Sequence, residues 1–456
     1  MKKVFHNILK WGVIEHILFA VLLILSILLF EERLFADSSY YIFRVINTES
    51  FWIEHYRYIL GFSQIIPLIG IKIGLGLKTI LLLYSINHVI FFYSIFLVTK
   101  YYYKNSSAGF FLLLLQTIGI SSGFFVPMFE LYYAAGLLVL ISTILYSKER
   151  KYDLIILSIL TFFVLTGHPY TYILLLFIII LHAERNKYKF IKYYYLFIVL
   201  MVIIIITKKF NYSEYEYWKT MEFRHHILYG IYNVKYIISL IYFLIVYYKS
   251  LLLLELITII YLWANKEYHR LMLVVLAFIG TLILINFSYY GFAHGRYQEQ
   301  VYFSLSFIVV YSFVIYILGN KKCIYKTYFL SLITVLIIAR TYGVFSEGRR
   351  FSSRVDEIKS NINQSYLLKG SKFEISENLL IYDPNWSYPI ETMLLSSYIS
   401  NDKTTTICTD TDLNFEKNRE ELKNYQYLFR RWELYNVESL NPNYFKLDSL
   451  PYSRLK

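Results

Sequence analysis

The chain has 456 residues, of which 57% are apolar, against about 45–50% in an ordinary soluble domain. Only 17% of the residues are charged, compared with about 25% in soluble domains, and the formal net charge is +13. This composition excludes a soluble enzyme, a coiled coil, a collagen and a disordered tail. It predicts a membrane protein whose charges are concentrated between apolar segments.

The cysteine and aromatic contents limit the kinds of functional site that the chain can hold. The two cysteines, Cys323 and Cys408, supply neither a disulfide framework nor a clustered cysteine metal site. Aromatic residues reach 20%, which suits a chain with many membrane interfaces. Nucleic acid is not an expected partner, because no soluble segment interleaves basic and aromatic residues. We expect the excess of basic residues to interact with membrane lipids, through anionic head groups or lipid phosphates.

The first apolar segment runs from Trp11 to Phe30 and follows the basic Met1-Lys2-Lys3. A membrane-spanning helix needs about 20 residues, and this segment is close to that length. It lacks a small-residue cleavage site before Glu31, and further apolar segments follow. We therefore predict a first transmembrane helix, not a signal peptide, with its basic end in the cytoplasm.

Ten further spans are predicted, which makes eleven in an all-α polytopic membrane domain over residues 1–340. The positive-inside rule assigns four basic loops to the cytoplasm, and counting spans gives the same side for the first three. Frequent Ile, Lys, Tyr and Asn suit an AT-rich bacterial genome, so we expect the inner (cytoplasmic) membrane of a bacterium. The basic loops are Lys100–Lys104, Lys148–Lys151, Arg185–Lys189 and Lys321–Lys322. The further spans are 77–98, 108–126, 130–146, 153–167, 170–183, 192–207, 249–265, 270–287, 297–318 and 325–340.

The region 208–269 is ambiguous, because 227–264 has room for one span or two short ones. Lys208 should lie outside and Arg270 inside, so an odd number of crossings is required. We predict one span at 249–265, preceded by an amphipathic stretch that contains Trp218 and His225–His226 and lies in the outer interface.

The sequence turns polar after Arg340, which predicts a small soluble α/β domain over 341–456 on the extracytoplasmic side. Leu379–Tyr382 and Thr404–Cys408 have the composition of short strands. Phe351–Ile362 and Asn414–Leu428 have helical patterns.

The first outer loop, residues 31–64, is too apolar for a linker and too charged for a span. Its start, Glu31–Arg44, therefore predicts helices that lie on the outer surface above the first span. Asp37 stands where the aromatic helix begins. Either it is a helix cap, for which Asp is well suited, or it is a functional acid at the membrane edge.

Asp37 follows the first span directly and is followed by Tyr40. This pattern resembles the first-loop acidic motif of the GT-C superfamily of polyprenyl-phosphate-sugar-dependent membrane glycosyltransferases. The proline-containing segment His55–Leu68 is similar to the one that those enzymes place before their second span. The family usually has a second acid beside the first, whereas Ala36 and Ser38 flank Asp37 here. No metal site is implied, although a divalent cation is left open as a cofactor.

The resemblance implies a lipid-linked sugar donor at the outer face and a glycan, lipid or protein acceptor. Asp37 would be the general base that takes the proton of the acceptor hydroxyl. Arg57 and Arg296 are the candidates for stabilising the leaving lipid phosphate, because arginine carries a permanently charged planar fork. The other expected substrate-binding residues are Tyr40, Gln64, Glu130, His168, His294 and Glu299.

Several of these residues also have plain structural interpretations. Glu130 in a first helical turn favours the helix dipole, and His168 before Pro169 suits a turn. Arg296 and Glu299 are able to satisfy each other at the membrane edge. The adjacent His225 and His226 point to different helix faces, which does not suit a metal ion.

Two other functions remain open from the sequence. An O-antigen-type polymerase or lipid-linked glycan flippase shares the aromatic multi-span composition, but predicts a large arginine-rich outer loop that is absent here. A secondary transporter predicts two repeated halves, which are not evident. No nucleotide-binding motif is present, so coupling to nucleotide hydrolysis is not expected.

Overall fold

The computed structural model describes residues 13–105, 107–120, 122–186, 191–211, 213–230, 234–288, 299–320, 323–381, 386–400, 403–414, 427–430 and 433–455. Within this part of the chain, the predicted apolar runs form helices, but the run 108–126 is interrupted by non-helical residues at 118–120. The membrane-type helices are α1 (Val13–Leu28), α4 (Leu77–Leu97), α5 (Ala108–Thr117), α6 (Glu130–Leu145), α7 (Asp153–Leu165), α8 (Tyr170–Asn186), α9 (Ile191–Phe210), α12 (Lys249–Ala264), α13 (Tyr268–Ser288), α14 (Glu299–Phe313) and α15 (Lys326–Tyr366). Short π-helical turns extend α4 to Tyr102 and α14 to Leu318.

Five of these helices are long and apolar enough to cross a membrane: α4, α9, α13, α14 and α15. The bent pair formed by α12 and the helix before it would make a sixth span. Others are shorter than a bilayer core: the 10 residues of α5 rise by about 15 Å, half of the about 30 Å of hydrocarbon. The membrane character is therefore confirmed, whereas the number of eleven crossings stays a prediction.

The helices form a centre and a rim. In α14, 94% of the apolar window is buried inside the protein, and all residues of α5 and α6 are buried. In α9 and α13, only 22% of the window is buried, so apolar side chains face outward. A helix that is apolar all round belongs in the interior or against lipid, and both cases occur here.

The region before α12 differs from the prediction. It forms α10 (Glu214–Gly230) and α11 (Val234–Tyr247), and α11 is bent by 95° against α12. The expected amphipathic character of α10 is wrong. Its acids and aromatics alternate from Glu214 to Tyr217, so both kinds reach every face of the helix.

The first outer loop contains α2 (Asp37–Thr48), which confirms the helical character predicted for Glu31–Arg44, and α3 (Gly61–Lys72) begins near the end of the loop. The apolar side chains of α2 are buried, including Ile42, Phe43 and Ile46. The segment between the helices is held by Gln64, whose amide accepts from the backbone N–H of Trp52 and donates to its carbonyl, both at 2.8 Å.

The C-terminal module is α/β, as predicted, but its helix α15 is continuous with the last apolar run. The expected boundary at residue 340 therefore lies inside a helix. Strands β1 (Lys372–Ile375), β2 (Thr406–Thr409) and β5 (Ser453–Arg454) form a parallel sheet in the order β2-β1-β5. Helix α16 (Tyr388–Ile399) packs on β2, and α17 (Asp410–Leu413) follows it. The last two strands, β3 (Tyr427–Arg430) and β4 (Glu433–Asn436), form an antiparallel hairpin.

One local prediction for this module is wrong, and another lies mostly outside the described residues. Glu377–Leu379 is a 3-10 turn and residues 380–381 are not a strand, because β1 occupies the preceding segment. The predicted helix 414–428 falls mostly outside the described residues, and its end, Leu428, lies in β3. The predicted strand at Thr404–Cys408 and the helix at Phe351–Ile362 are confirmed.

Charged groups collect at the two ends of the bundle. One end, called here the Lys100 end, joins three of the loops that the sequence assigns to the cytoplasm. Arg150 lies over the ring of Tyr102, Arg185 lies over that of Tyr146, and Lys100 pairs with Glu15. The opposite end, called the Asp37 end, carries α2, α3 and the C-terminal module. Lys321–Lys322 lies outside the described residues.

Candidate functional site

Five predicted site residues converge at the Asp37 end: Asp37, Tyr40, Arg57, Glu130 and His168. Asp37 is the first residue of α2, and Glu130 is the first residue of α6. Arg57 Nη1 donates a hydrogen bond to Glu130 Oε1 at 2.7 Å. His168, in the turn between α7 and α8, interacts electrostatically with both groups. Residues from four separate segments therefore meet in one place.

Glu54 is a second acid at this site that the sequence analysis missed. Its carboxylate accepts hydrogen bonds from Tyr40, from the Tyr41 hydroxyl at 3.0 Å and from Trp52 Nε1 at 3.0 Å. Burial, and after it the charge of Glu54, raises the pKa of Tyr41, which also feels the charge of Asp37. The two acids therefore act on one phenol. The only sequence signal for Glu54 is its place in the first loop.

The pair Arg57–Glu130 is nearly buried, with the two side chains 14% and 4% exposed. Burial alone would disfavour the charged Arg57, but the attraction of Glu130 outweighs it and raises the pKa of Arg57. Burial and the charge of Arg57 lower the pKa of His168 to about 3. His168 is therefore neutral at physiological pH, and Arg57 is already neutralised by a protein carboxylate.

The backbone is strained on both sides of this cluster. Ala36 has φ 51°, and the consecutive His55 and Tyr56 have φ 52° and 55°. Positive φ is unfavourable for residues other than glycine, and such strain persists only where the surrounding structure enforces it. The three residues directly precede Asp37 and Arg57, so the strain fixes the directions of these two side chains.

The C-terminal module holds the start of α2 in place. The backbone N–H of Ala36 donates to Glu391 Oε1 at 3.1 Å. Arg354 binds both oxygens of Glu391, at 2.9 and 3.1 Å, and Ser387 donates to it at 2.5 Å. All of these side chains are buried. A bidentate charge-assisted pair has a defined geometry, and here it fixes the residue before Asp37.

The C-terminal module also contacts the rest of α2. Asn441 donates to the carbonyl of Ile46 at 3.1 Å, and its backbone N–H donates to Asn47 at 2.8 Å. The ring of Phe43 packs edge-on against Tyr435 at 5.3 Å. The module and α2 therefore form one packed unit.

The remaining predicted residues are placed differently. Gln64 uses both ends of its amide on Trp52, and Glu299 accepts from the Tyr248 hydroxyl at 2.7 Å and from the backbone N–H of Gly123. Both side chains serve the protein's own structure, and their expected contact with substrate stays a prediction. His294 and Arg296 lie outside the described residues.

Within the described ranges, no group of three or more His, Cys, Asp and Glu side chains is arranged to hold a metal ion. The chain was compared with protein-family models, curated proteins and solved structures, and none of the three comparisons gave a significant match.

Proposed function

We propose that this protein is a membrane glycosyltransferase that moves a sugar from a polyprenyl-phosphate donor to a cell-envelope acceptor. The observation that carries the proposal is the setting of Asp37. It begins a helix whose N-terminus is fixed by a strained residue and a buried ion pair, and it shares the neighbourhood of Tyr41 with Glu54. Rigid support of this kind is what a catalytic group needs.

In the proposed reaction, Asp37 accepts the proton of the acceptor hydroxyl as that oxygen attacks the anomeric carbon. The bond between the anomeric carbon and the phosphate oxygen breaks, and the lipid phosphate leaves with the electron pair. Glu54 and Tyr41 position the loop around the acceptor. The buried pair Arg57–Glu130 holds the loop against α6, and its salt bridge keeps Arg57 from acting as the main phosphate ligand.

The proposed orientation places the Asp37 end outside the cytoplasmic membrane of a bacterium. The grouping of three basic loops at the Lys100 end supports it, because basic loops are retained in the cytoplasm. The C-terminal module would then lie on the outer side with Asp37.

A groove in the C-terminal module suits a polyhydroxylated acceptor. It has a volume of about 500 Å³ and an aliphatic wall that includes Ile375 and Ile381. Hydroxyl, amide and carboxylate groups from one face of α15 line the other side, and such groups pair with sugar hydroxyls. These residues are Ser353, Asp356, Glu357, Ser360, Asn361 and Gln364.

The test is release of polyprenyl phosphate from a panel of polyprenyl-phosphate hexoses and pentoses by the protein in nanodiscs, with a bacterial envelope extract as acceptor. We expect Asp37→Asn to lower the rate by about 10²–10⁴-fold, the usual contribution of a general base. Asp448→Asn, in the C-terminal module, is the matched control and should keep the wild-type rate. Equal rates for Asp37→Asn and the wild type would refute the proposal.

One observation favours a second function, transport of a lipid-linked glycan. Glu255 on α12 is 3% exposed, and neither of its carboxylate oxygens has a partner among the described residues. It lies in the helix that is bent by 95° against α11. Buried ionisable groups and broken helices mark transport pathways. Loss of glycan-lipid translocation in proteoliposomes for Glu255→Gln, with release of polyprenyl phosphate unchanged, would support this function.

A further inference from the structure

A buried cation without a carboxylate lies behind Asp37. Arg33, in the 3-10 turn between α1 and α2, is 0% exposed. Its Nη2 donates to the carbonyl of Ser85 at 3.1 Å, and its guanidinium lies 4.0 Å over the ring of Phe124. Among the described residues, no acid pairs with it. Its Nε and Nη1 are buried and have no hydrogen-bond partner in the described part of the chain.

An arrangement of this kind is energetically unfavourable in the absence of a ligand. Each buried charge-bearing donor without an acceptor loses its hydration and gains no hydrogen bond in return. Burial lowers the pKa of Arg33 to about 9, which still leaves it charged at neutral pH. The ring of Phe124 and the carbonyl of Ser85 fix the guanidinium in one position, in which Nε and Nη1 have no acceptor among the described residues.

The groups around Arg33 have matching chemistry. Arg33 interacts electrostatically with Tyr84 and with His88, one turn further along α4. The ring of His88 is 0% exposed, and neither of its nitrogens has a partner among the described residues. The Tyr84 hydroxyl lies beside Ser38, the residue that follows Asp37. A guanidinium, an imidazole and two hydroxyls are donors that an oxyanion accepts from.

We infer that Arg33, with His88, Tyr84 and Ser38, forms a binding site for a phosphate group. The site is distinct from Arg57, whose charge is neutralised by Glu130. A phosphate supplies both the negative charge and the several acceptor oxygens that this cluster lacks. The group comes either from a polyprenyl phosphate or from free phosphate. The choice of lipid rests on the proposed function, whereas the phosphate chemistry does not.

The experiment is equilibrium binding to the purified full chain by thermal shift and by competition. The probes are inorganic phosphate added to detergent-solubilised protein and polyprenyl monophosphate incorporated in nanodiscs. We expect Arg33→Gln to weaken binding by about tenfold to hundredfold, the range for one lost charge-assisted hydrogen bond. Arg349→Gln, an exposed arginine on α15, is the matched control and should bind as the wild type does.

Binding of both probes, with loss in Arg33→Gln, supports a site for the phosphoryl group itself; binding of the lipid alone supports a site specific to the lipid phosphate. If Arg33→Gln does not fold, His88→Gln and Tyr84→Phe report on the same site and should each weaken binding. Binding of neither probe by the wild type, or unchanged binding by all three variants, would overturn the inference. Phosphate binding without sugar transfer would leave the site standing and refute the proposed function.

Discussion

Both ends of the helical bundle contain buried ion pairs, but the Asp37 end also contains a buried arginine that pairs with no described carboxylate. At the Lys100 end, Lys100 lies 2.6 Å from Glu15, and the two side chains are 6% and 0% exposed. At the same end, the partly exposed Arg270 pairs with Glu184 at 2.9 Å and with Glu267 at 2.7 Å. At the Asp37 end, Arg33 is fully buried, and among the described residues it has no carboxylate and no acceptor for its Nε and Nη1.

Backbone strain is found at both ends but is more frequent at the Asp37 end. Of the six described non-glycine residues with positive φ, four belong to the first outer loop, Ala36, Glu49, His55 and Tyr56, and two, Lys104 and Lys266, belong to loops at the Lys100 end. Matched charges are typical of a region whose purpose is stability. Unmatched charge and strain are tolerated where they serve binding or catalysis. The difference between the two ends therefore indicates that the functional site lies at the Asp37 end.

The largest loss of stability should come from breaking the buried ion pair at the Lys100 end. Lys100→Met leaves Glu15 buried without a counter-charge and should lower the free energy of unfolding by about 3–5 kcal/mol. The double variant Lys100→Met/Glu15→Leu removes both charges and should recover most of the loss. Thermal unfolding in detergent measures both. A double variant that is less stable than the single one would contradict the pairing.

A smaller effect is expected at the junction between the C-terminal module and α2. Glu391→Gln weakens the hydrogen bonds to Ala36 and Arg354 and should lower stability by about 1.5–3 kcal/mol. It should also raise labelling of a single cysteine placed at Ser38, because the start of α2 loosens. The labelling is measured against the same cysteine in a chain with intact Glu391, with Cys323 and Cys408 replaced by Ser in both. Unchanged labelling would show that the module does not hold α2.

The smallest effect concerns pH. His168 stays neutral in the folded protein down to pH about 3, whereas in the unfolded chain it takes up a proton near pH 6.5. Its contribution to stability is therefore fully present above pH 6.5 and is lost as the pH falls below that value.

Between pH 6.5 and 5, this effect should amount to about 1–2 kcal/mol. His168→Gln should flatten that part of the stability profile, which thermal unfolding over pH 5–8 measures. His269→Gln, at an exposed position near the other end of the bundle, is the control. A wild-type profile retained in His168→Gln would contradict the assignment.

The sequence predicts the helices well because long apolar runs leave few alternatives in a membrane. It fails at the ends of elements. The polar composition after Arg340 indicates a new domain, yet α15 continues to Tyr366, because no proline interrupts it and its two internal glycines are tolerated in a helix. Leu379–Tyr382 has strand-like residues, but the described sheet consists of β2, β1 and β5 and does not include this segment.

The site divides in the same way. Glu130 and His168 could be singled out because each lies at the end of an apolar run, and Asp37 and Arg57 because the first outer loop resembles a known acidic motif. Glu54 and Arg33 could not be singled out, because their roles depend on which residues surround them in the folded protein. No sequence pattern distinguishes an arginine that meets a carboxylate, as Arg57 does, from one that meets none in the described part of the chain, as is the case for Arg33.

The most direct test compares Arg33→Met with Lys100→Met by thermal unfolding in the same phosphate-free detergent solution. Replacing an unmatched buried charge by an apolar side chain should leave stability equal or higher, whereas removing half of a matched pair should lower it. We predict that Arg33→Met unfolds at or above the wild-type temperature and Lys100→Met well below it. An equal fall for both variants would show that Arg33 is a structural cation like Lys100, and would contradict the distinction between the two ends.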